Sequence, residues 1–134
     1  MKGKPEKDTV KNLKSLNLKT VHLQREVFPA ESLKLVMTEK GKEIARVWVY
    51  FIRNDLHSKP YALIEDLFVQ EEYRGRSFGT KMMQAAIEEA RKKSCYKILA
   101  TSRYEREAVH NLYHKLGFKD YGKEFRMDLS DLPY

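Results

Sequence analysis

The sequence predicts a mixed α/β fold in which helices flank one largely antiparallel sheet. Three observations predict it: alternating apolar residues in the first half of the chain, a long amphipathic helix near its middle, and a second helix with strands around it. A chain of 134 residues has the length of one domain and can bury a core. Hydrophobic residues make up 42% and charged residues 34%, which is typical of globular proteins rather than disordered ones.

The antiparallel strands are predicted from the first half of the chain. Apolar residues occupy every second position from Leu33 to Met37, as in a half-buried strand. A turn at Gly41 joins this strand to a second one over 44–52, so we expect a hairpin. The end of the second strand has no polar face, and we expect both of its sides to be covered. A third strand is expected over 61–69.

The first helix is predicted from apolar residues that recur every three or four positions. It is expected to begin at Gly79 or Thr80. Its apolar stripe consists of Met82, Met83, Ala86, Ile87 and Ala90. A short strand over 96–101 follows it.

The second helix is predicted over 105–116, and Gly117 stands where a left-handed C-terminal cap would be. Beyond it, apolar residues alternate again in the run Phe125, Met127 and Leu129. We expect these residues to form a terminal strand.

The positive charge is concentrated at the start of the chain. There are 26 basic and 19 acidic residues, a net charge of +7, which favours anionic ligands. The first twenty residues contain six lysines but no arginine and no aromatic residue to stack on bases. We therefore expect a basic, partly flexible arm over 1–20 and a single domain over 21–134, and we do not expect nucleic acid as the partner.

Several classes of protein are not expected from this composition. Cys95 is the single cysteine, so an intrachain disulfide or a cysteine-based zinc cluster cannot form. The four histidines lack the spacing of a metal site, and no metal is expected. No apolar run reaches the roughly 18 residues of a membrane span, and the chain starts with charged residues rather than an apolar signal. A cytoplasmic protein is expected.

The strongest chemical signal lies where the third strand gives way to the first helix. The sequence Arg74-Gly75-Arg76-Ser77-Phe78-Gly79 is basic, contains two glycines and leads directly into the helix. A helix start presents unpaired N–H groups and the positive end of the helix dipole. The segment therefore predicts a phosphate site, with an ordinary loop as the alternative.

Two segments resemble the GNAT superfamily of N-acetyltransferases. The strand 64–69 followed by 72–79 is similar to its acetyl-CoA signature, Arg/Gln-x-x-Gly-x-Gly/Ala after a strand. The segment 108–118 resembles the later helix-to-strand motif ending in Tyr-x-x-x-Gly-Phe. The two motifs occur in the family's order and together cover about residues 60–120.

The resemblance implies transfer of an acetyl group from acetyl-CoA to a primary amine in a ternary complex. It also implies a sheet whose central strands splay apart, so that the strand over 96–101 leaves a slot for the pantetheine arm. Backbone groups of the preceding strand bind that arm, and the loop amides hold the pyrophosphate. The implied cofactor-binding residues are Leu67, Phe68, Val69, Arg74, Gly75, Arg76, Ser77, Phe78, Gly79 and Thr80.

Two residues are the candidates for acid–base catalysis. The resemblance assigns Tyr113 as the general acid that protonates the leaving thiolate, since a phenol is protonated at neutral pH. Glu65 is chosen as the general base, directly or through water. Asp66 lies beside it on the strand and is expected to point to the opposite face. His110 shares the helix face of Tyr113, and we expect an ordinary hydrogen-bonded or solvated histidine there.

The sequence departs from the family pattern at three places. Ser77 stands where the family has glycine, so its φ must stay negative or the turn is strained. Arg106 occupies a position where many members have asparagine. The stretch between Val21 and Leu33 is too short for the family's usual pair of helices, so the acceptor cleft should be more open.

These departures favour an alternative function, a non-catalytic module that binds acyl-CoA or phosphate. The acceptor amine is left open between a small molecule and a peptide. Arg103, Arg106 and Arg126 could bind an anionic acceptor, but they could equally contact the phosphates of coenzyme A or solvent. Residues 95–98 and the Glu65-Asp66 pair resemble glucosamine-phosphate acetyltransferases. A homodimer formed through the terminal strand is a further alternative, because an edge strand needs covering.

Overall fold

The N-terminal part of the chain contributes a small two-stranded sheet. The computed structural model describes residues 6–9 and 20–131. Strand β1 (Glu6–Thr9) pairs antiparallel with β2 (Gln24–Val27). The predicted division between an arm and a domain at residue 20 stays a prediction, because residues 10–19 lie outside the described part.

The main sheet contains four strands in the order β3 (Glu31–Glu39), β4 (Lys42–Ile52), β5 (Tyr61–Val69) and β6 (Ile98–Ala100). The first three are antiparallel, as predicted. The turn between β3 and β4 has positive φ angles at Lys40 (51°) and Gly41 (78°), typical of the two-residue hairpin turn whose twist matches the strands.

Strand β6 adds to β5 in parallel. The N–H of Tyr96 donates to the carbonyl of Pro60 at 3.1 Å, and the N–H of Ala62 donates to the carbonyl of Lys97 at 3.0 Å. The residue numbers of the two partners rise together along the chain, which identifies a parallel pair. The sheet is therefore mixed but mostly antiparallel, as the sequence predicted.

The core lies between one face of this sheet and helix α1 (Phe78–Lys92). On β4 every second residue is fully buried against α1: Val47, Val49 and Phe51 expose 0%, 0% and 5% of their surface. The helix contributes Met82, Met83, Ala86 and Ala90, four of the five residues of the predicted stripe. Period-two strands and a period-3.6 helix thus meet along their apolar faces.

The other face of β4 differs from the prediction. Trp48, Tyr50 and Ile52 are only half-buried, so the expectation that both sides of this strand are covered was wrong for the second side. Large amphipathic rings tolerate this position because their flat surfaces pack beside neighbouring side chains; the Trp48 and Tyr50 rings stack at 6.3 Å.

The chain divides into two compact units, residues 1–99 and 100–134. The second unit contains α2 (Glu107–Lys115), and the helix ends as predicted. Gly117 has φ +99°, its N–H donates to the His114 carbonyl, and the Phe118 N–H donates to the Tyr113 carbonyl at 3.0 Å. This pair of hydrogen bonds is the Schellman cap.

The predicted terminal strand through Phe125, Met127 and Leu129 was wrong. Residues 118–131 form neither helix nor strand, and the three side chains are 90%, 81% and 89% exposed. An alternating pattern supplies an apolar side, but a strand also needs a neighbour for its backbone hydrogen bonds. In the described part of the chain this segment has no ladder partner.

Candidate active site

The end of strand β5 contains a β-bulge that the sequence did not predict. Arg46 faces Phe68 and Trp48 faces Glu65, so the single residue between them on β4 faces two residues on β5, Asp66 and Leu67. Asp66 has φ +53°, a left-handed conformation that aspartate adopts more readily than most residues. A bulge leaves backbone groups without ladder partners, and here it does so at the start of the predicted pantetheine segment.

The bulge lies at the two adjacent carboxylates of β5. It interrupts the regular alternation from which Glu65 and Asp66 were expected to point to opposite faces, and that expectation stays a prediction. Both side chains are exposed. Burial, and then the negative charges of Glu65 and Asp66, raise the pKa of the Tyr50 phenol. Both carboxylates therefore act on the same side chain.

The phosphate loop, residues 74–80, follows β5 and one short 3-10 turn (Glu71–Tyr73). Gly75 has φ +73°, and Ser77, the N-cap of α1, has φ +66° without a capping hydrogen bond from its side chain. The strain expected for a serine at this position is therefore present. A left-handed residue directly before a helix produces a turn whose amides converge.

The amides at the start of α1 are available to a ligand. The N–H of Lys81 donates to the carbonyl of Ser77 at 3.1 Å, which is the first bond of the helix. The amides of Phe78, Gly79 and Thr80 precede it and have no helical partner. Together with the positive end of the helix dipole, they make an arrangement that suits an anion such as a phosphate group.

The two loop arginines have different environments. The Nε–H of Arg74 donates to the carbonyl of Val69 at 2.9 Å, and its guanidinium lies 5.5 Å from the Phe68 ring. Arg74 therefore closes the loop onto the end of β5. Arg76 is exposed and lies over the rings of Tyr73 and Phe78. The sequence indicated the charges of this loop but not the rings that contact them.

Tyr113 lies in the last turn of α2, within the second unit. Burial raises the pKa of its phenol, partly opposed by the positive charge of Arg106, so the group stays protonated at neutral pH. Its ring lies 5.3 Å from that of Phe118, the contact that accompanies the helix cap. The side chain is thus held as a neutral proton donor.

His110 has a structural partner. Its Nε2 lies 2.8 Å from the carbonyl of Arg103, which can only accept, so this nitrogen carries the proton. The residue is an ordinary hydrogen-bonded histidine, as expected. Arg106, where the family pattern has asparagine, is the N-cap of α2 and is exposed.

The described residues show neither a metal site nor a membrane-spanning helix. Among them, no group of three histidine, cysteine or carboxylate side chains is arranged to hold a metal ion. None of the helices in the described ranges has the length and apolar character needed to span a bilayer.

Comparison with known proteins identifies relatives for most of the chain. The family described as "Acetyltransferase (GNAT) family" matches residues 8–118. A curated relative, glucosamine 6-phosphate N-acetyltransferase from Trypanosoma brucei brucei, is 36% identical over 66 residues. That match covers 49% of this chain and 43% of the relative, so it spans less than half of the relative's length.

Solved structures show the same fold. A putative acetyltransferase from Agrobacterium tumefaciens str. C58 is 32% identical, with a TM-score of 0.68 over 72% of this chain and 68% of its own. An acetyltransferase from Trypanosoma brucei is 26% identical, with a TM-score of 0.68 over 73% of this chain and 69% of its own. The mixed, mostly antiparallel sheet with helix α1 packed on it therefore belongs to a fold that this chain shares with its structural relatives.

Proposed function

The chain belongs to the acetyltransferase (GNAT) family, and on that premise we propose that it transfers an acetyl group from acetyl-CoA to a primary amine by direct attack in a ternary complex. The observation that carries the proposal is the phosphate loop. The free amides in the first turn of α1 and the exposed cation of Arg76 just before it suit the pyrophosphate of coenzyme A.

The bulge in β5 supports a role for Leu67, Phe68 and Val69 in binding the acetyl-pantetheine arm. An uninterrupted antiparallel ladder would use the N–H of every second residue of β5 in pairing with β4. Because the bulge leaves residues without a partner on β4, an N–H in this segment is free to bind the thioester carbonyl. The same N–H then stabilises the oxyanion of the tetrahedral intermediate.

The reaction needs two proton transfers. The neutral amine attacks the thioester carbonyl, and the tetrahedral intermediate collapses with cleavage of the C–S bond. Tyr113 donates its proton to the leaving thiolate, which its neutral, half-buried phenol allows. Glu65 accepts the proton lost by the amine, directly or through water, and its exposure leaves it accessible to either. The remaining acceleration comes from holding the thioester and the amine together.

The acceptor that we propose to test first is an amino sugar phosphate. The curated relative named for glucosamine 6-phosphate matches 66 residues of this chain. Arg103 and Arg106 are exposed cations in the second unit and suit an anionic acceptor. Other small-molecule amines and a peptide amine form the comparison set.

The test is release of free coenzyme A. The protein is mixed with acetyl-CoA and each amine in turn, free thiol is measured over time, and the acetylated product is identified by mass. We expect amine-dependent release with at least one acceptor and slow hydrolysis without any amine. Binding of acetyl-CoA without amine-dependent release would instead identify a non-catalytic acyl-CoA module, the alternative favoured by Ser77 and Arg106. Absence of binding would exclude both functions.

We also propose a homodimer in which a second copy covers the exposed apolar segment 121–129. Phe125, Met127 and Leu129 are nearly fully exposed, and large apolar side chains exposed together in one segment are typical of association sites. Sedimentation of the wild-type protein should give twice the monomer mass. The variant Phe125→Asp should sediment with the mass of one monomer. A monomeric wild-type protein would contradict the proposal.

We also propose that the protein lies in the cytoplasm. The single cysteine gives the chain no internal disulfide that would need an oxidising compartment. Cell fractionation with an antibody to the protein tests it, and recovery from a membrane or secreted fraction would contradict it.

A further inference from the structure

Arg76 contacts two aromatic rings and stands two residues before the start of α1. Its guanidinium carbon lies 5.1 Å from the Tyr73 ring centroid and 5.4 Å from that of Phe78. The two rings contact each other edge to face, with centroids 6.0 Å apart. A guanidinium stacked on rings uses its flat face, and its N–H groups at the edge stay available for a phosphate.

The Phe78 ring contacts a second cation. The Nζ of Lys81, one turn further along α1, lies 5.6 Å from the Phe78 centroid. Phe78 therefore contacts two positive side chains at the end of the helix where an anion would bind. Without the ring, two flexible cations would repel each other and disperse into solvent, and a ligand would have to order both on binding.

Tyr73 connects this cluster to the main sheet. Tyr73 and Glu39, the last residue of β3, line the same pocket, and the interaction with the Glu39 carboxylate is the main cause of the raised pKa of the Tyr73 phenol. The Tyr73 ring thus lies near the hairpin and also contacts the Arg76 guanidinium. Arg74 differs from Arg76, because its Nε–H is already committed to the carbonyl of Val69.

We propose that Phe78 is a positioning residue of the phosphate loop: with Tyr73 it orders the Arg76 guanidinium before the ligand arrives, so that Arg76 and the amides of α1 bind the diphosphate together. The inference rests on the proposed function, since the diphosphate is that of coenzyme A. It assigns different tasks to the two arginines. Arg76 contacts the ligand, and Arg74 closes the loop.

The test is the affinity for coenzyme A, measured by calorimetry on the full chain. We expect Phe78→Leu to weaken binding roughly 5-fold, the size of one cation–π contact at an exposed site, and Phe78→Tyr to restore it. Arg76→Gln should weaken binding further. In the double variant that combines Phe78→Leu with Arg76→Gln, the loss of binding free energy should be smaller than the sum of the two single losses. Without the Phe78 ring, Arg76 is no longer ordered, so its removal costs less. With an acceptor, Phe78→Leu should raise KM for acetyl-CoA and leave kcat unchanged.

The matched control is Tyr61→Leu, which removes a ring beneath a lysine at the opposite end of β5. Lys97 lies 5.0 Å from the Tyr61 centroid, and this variant should bind coenzyme A like the wild type. Should Phe78→Leu fail to fold, Arg76→Lys serves instead, because it keeps the charge and loses the flat stacking group; we expect weaker binding at an unchanged melting temperature.

Two results separate the inference from the proposed function. This inference alone would be overturned if the wild type binds coenzyme A and Phe78→Leu binds it equally well. Arg76→Lys takes the place of Phe78→Leu if that variant does not fold. Simple addition of the Phe78→Leu and Arg76→Gln losses would likewise overturn this inference alone. Wild-type protein that does not bind coenzyme A would overturn the proposed function and this inference with it.

Discussion

Ser77 has a conformation that suits glycine better than serine. At φ +66° its Cβ crowds the backbone, which costs about 1 kcal/mol or more. We predict that Ser77→Gly raises the free energy of unfolding by about 0.5 kcal/mol, since part of the relief is lost to the greater freedom of glycine in the unfolded chain. Urea unfolding would measure it.

A matched control exists in the same unit of the chain. Ser94, just after α1, has φ +56°. Ser94→Gly should raise the free energy of unfolding by a similar amount. Ser58 lies in an exposed loop and does not have a left-handed φ, so Ser58→Gly should give no such gain. A loss of stability in Ser77→Gly would show that the hydroxyl or Cβ makes a stabilising contact that outweighs the strain.

Tyr113 is the residue on which the proposed chemistry depends most. We predict that Tyr113→Phe lowers kcat by about 10²- to 10⁴-fold and changes KM for acetyl-CoA little, because the ring still packs but cannot donate a proton. Steady-state kinetics on the best acceptor would measure both constants. Tyr104→Phe, which alters a phenol on a side chain that is 84% exposed, is the control and should behave like the wild type. Unchanged turnover in Tyr113→Phe would remove the assignment.

Single residues could be proposed from the sequence where a motif named them, and their roles stay predictions. The loop residues and Tyr113 could be chosen because each stands at a fixed place in a spaced pattern. The left-handed conformation of Asp66 could not be predicted, because a bulge depends on the pairing register between β5 and β4. The aspartate beside Glu65 is compatible with a left-handed turn, but aspartate is equally common in regular loops.

Among the elements, helix α1 gives the sharpest test of the core. Met83 is fully buried and lies on the stripe that packs against β4 and β5. We predict that Met83→Ala lowers the free energy of unfolding by about 2–5 kcal/mol, because it removes buried contacts and leaves a cavity. Gln84→Ala, on the exposed face of the same helix, should change it by less than about 0.5 kcal/mol.

A small effect of Met83→Ala in urea unfolding would mean that neighbouring side chains refill the space. Met82→Ala would then distinguish a soft site from a helix that contributes little, since Met82 is equally buried.

The elements differ in how well their sequences predicted them. The hairpin, the three antiparallel strands and both helices follow local periodicity and turn residues, and these predictions were confirmed. The terminal strand followed the same kind of pattern and was wrong, because pairing partners are not encoded in the segment itself. Gly117 illustrates the opposite case, since a cap is determined by the few residues around it.

At the scale of the whole molecule, three tyrosines make stability sensitive to alkaline pH. Burial raises the pKa of Tyr50 and of Tyr113, and the interaction with the Glu39 carboxylate raises the pKa of Tyr73. The folded state therefore holds these protons more tightly than the unfolded chain, whose phenols titrate near pH 10. We predict that these three phenols cause no change of the free energy of unfolding with pH below about pH 10. Above it, the free energy of unfolding falls as the pH rises through the pKa values of the folded state.

Urea unfolding at a series of pH values would measure this dependence. The variant Tyr113→Phe should flatten the alkaline fall, whereas Tyr104→Phe should leave it unchanged. A curve that is equally steep in Tyr113→Phe would mean that other groups cause the alkaline loss.

The sequence by itself determined the family, the order of strands and helices along most of the chain, and the place of the basic, glycine-containing loop before α1. All of these are carried by local patterns: apolar periodicity, turn residues and two spaced motifs. Only the tertiary structure decided the bulge at Asp66, the half-open face of β4, the strained turn at Ser77 and the rings around Arg76. Each of these depends on which groups face one another after folding, and no segment encodes its neighbours alone.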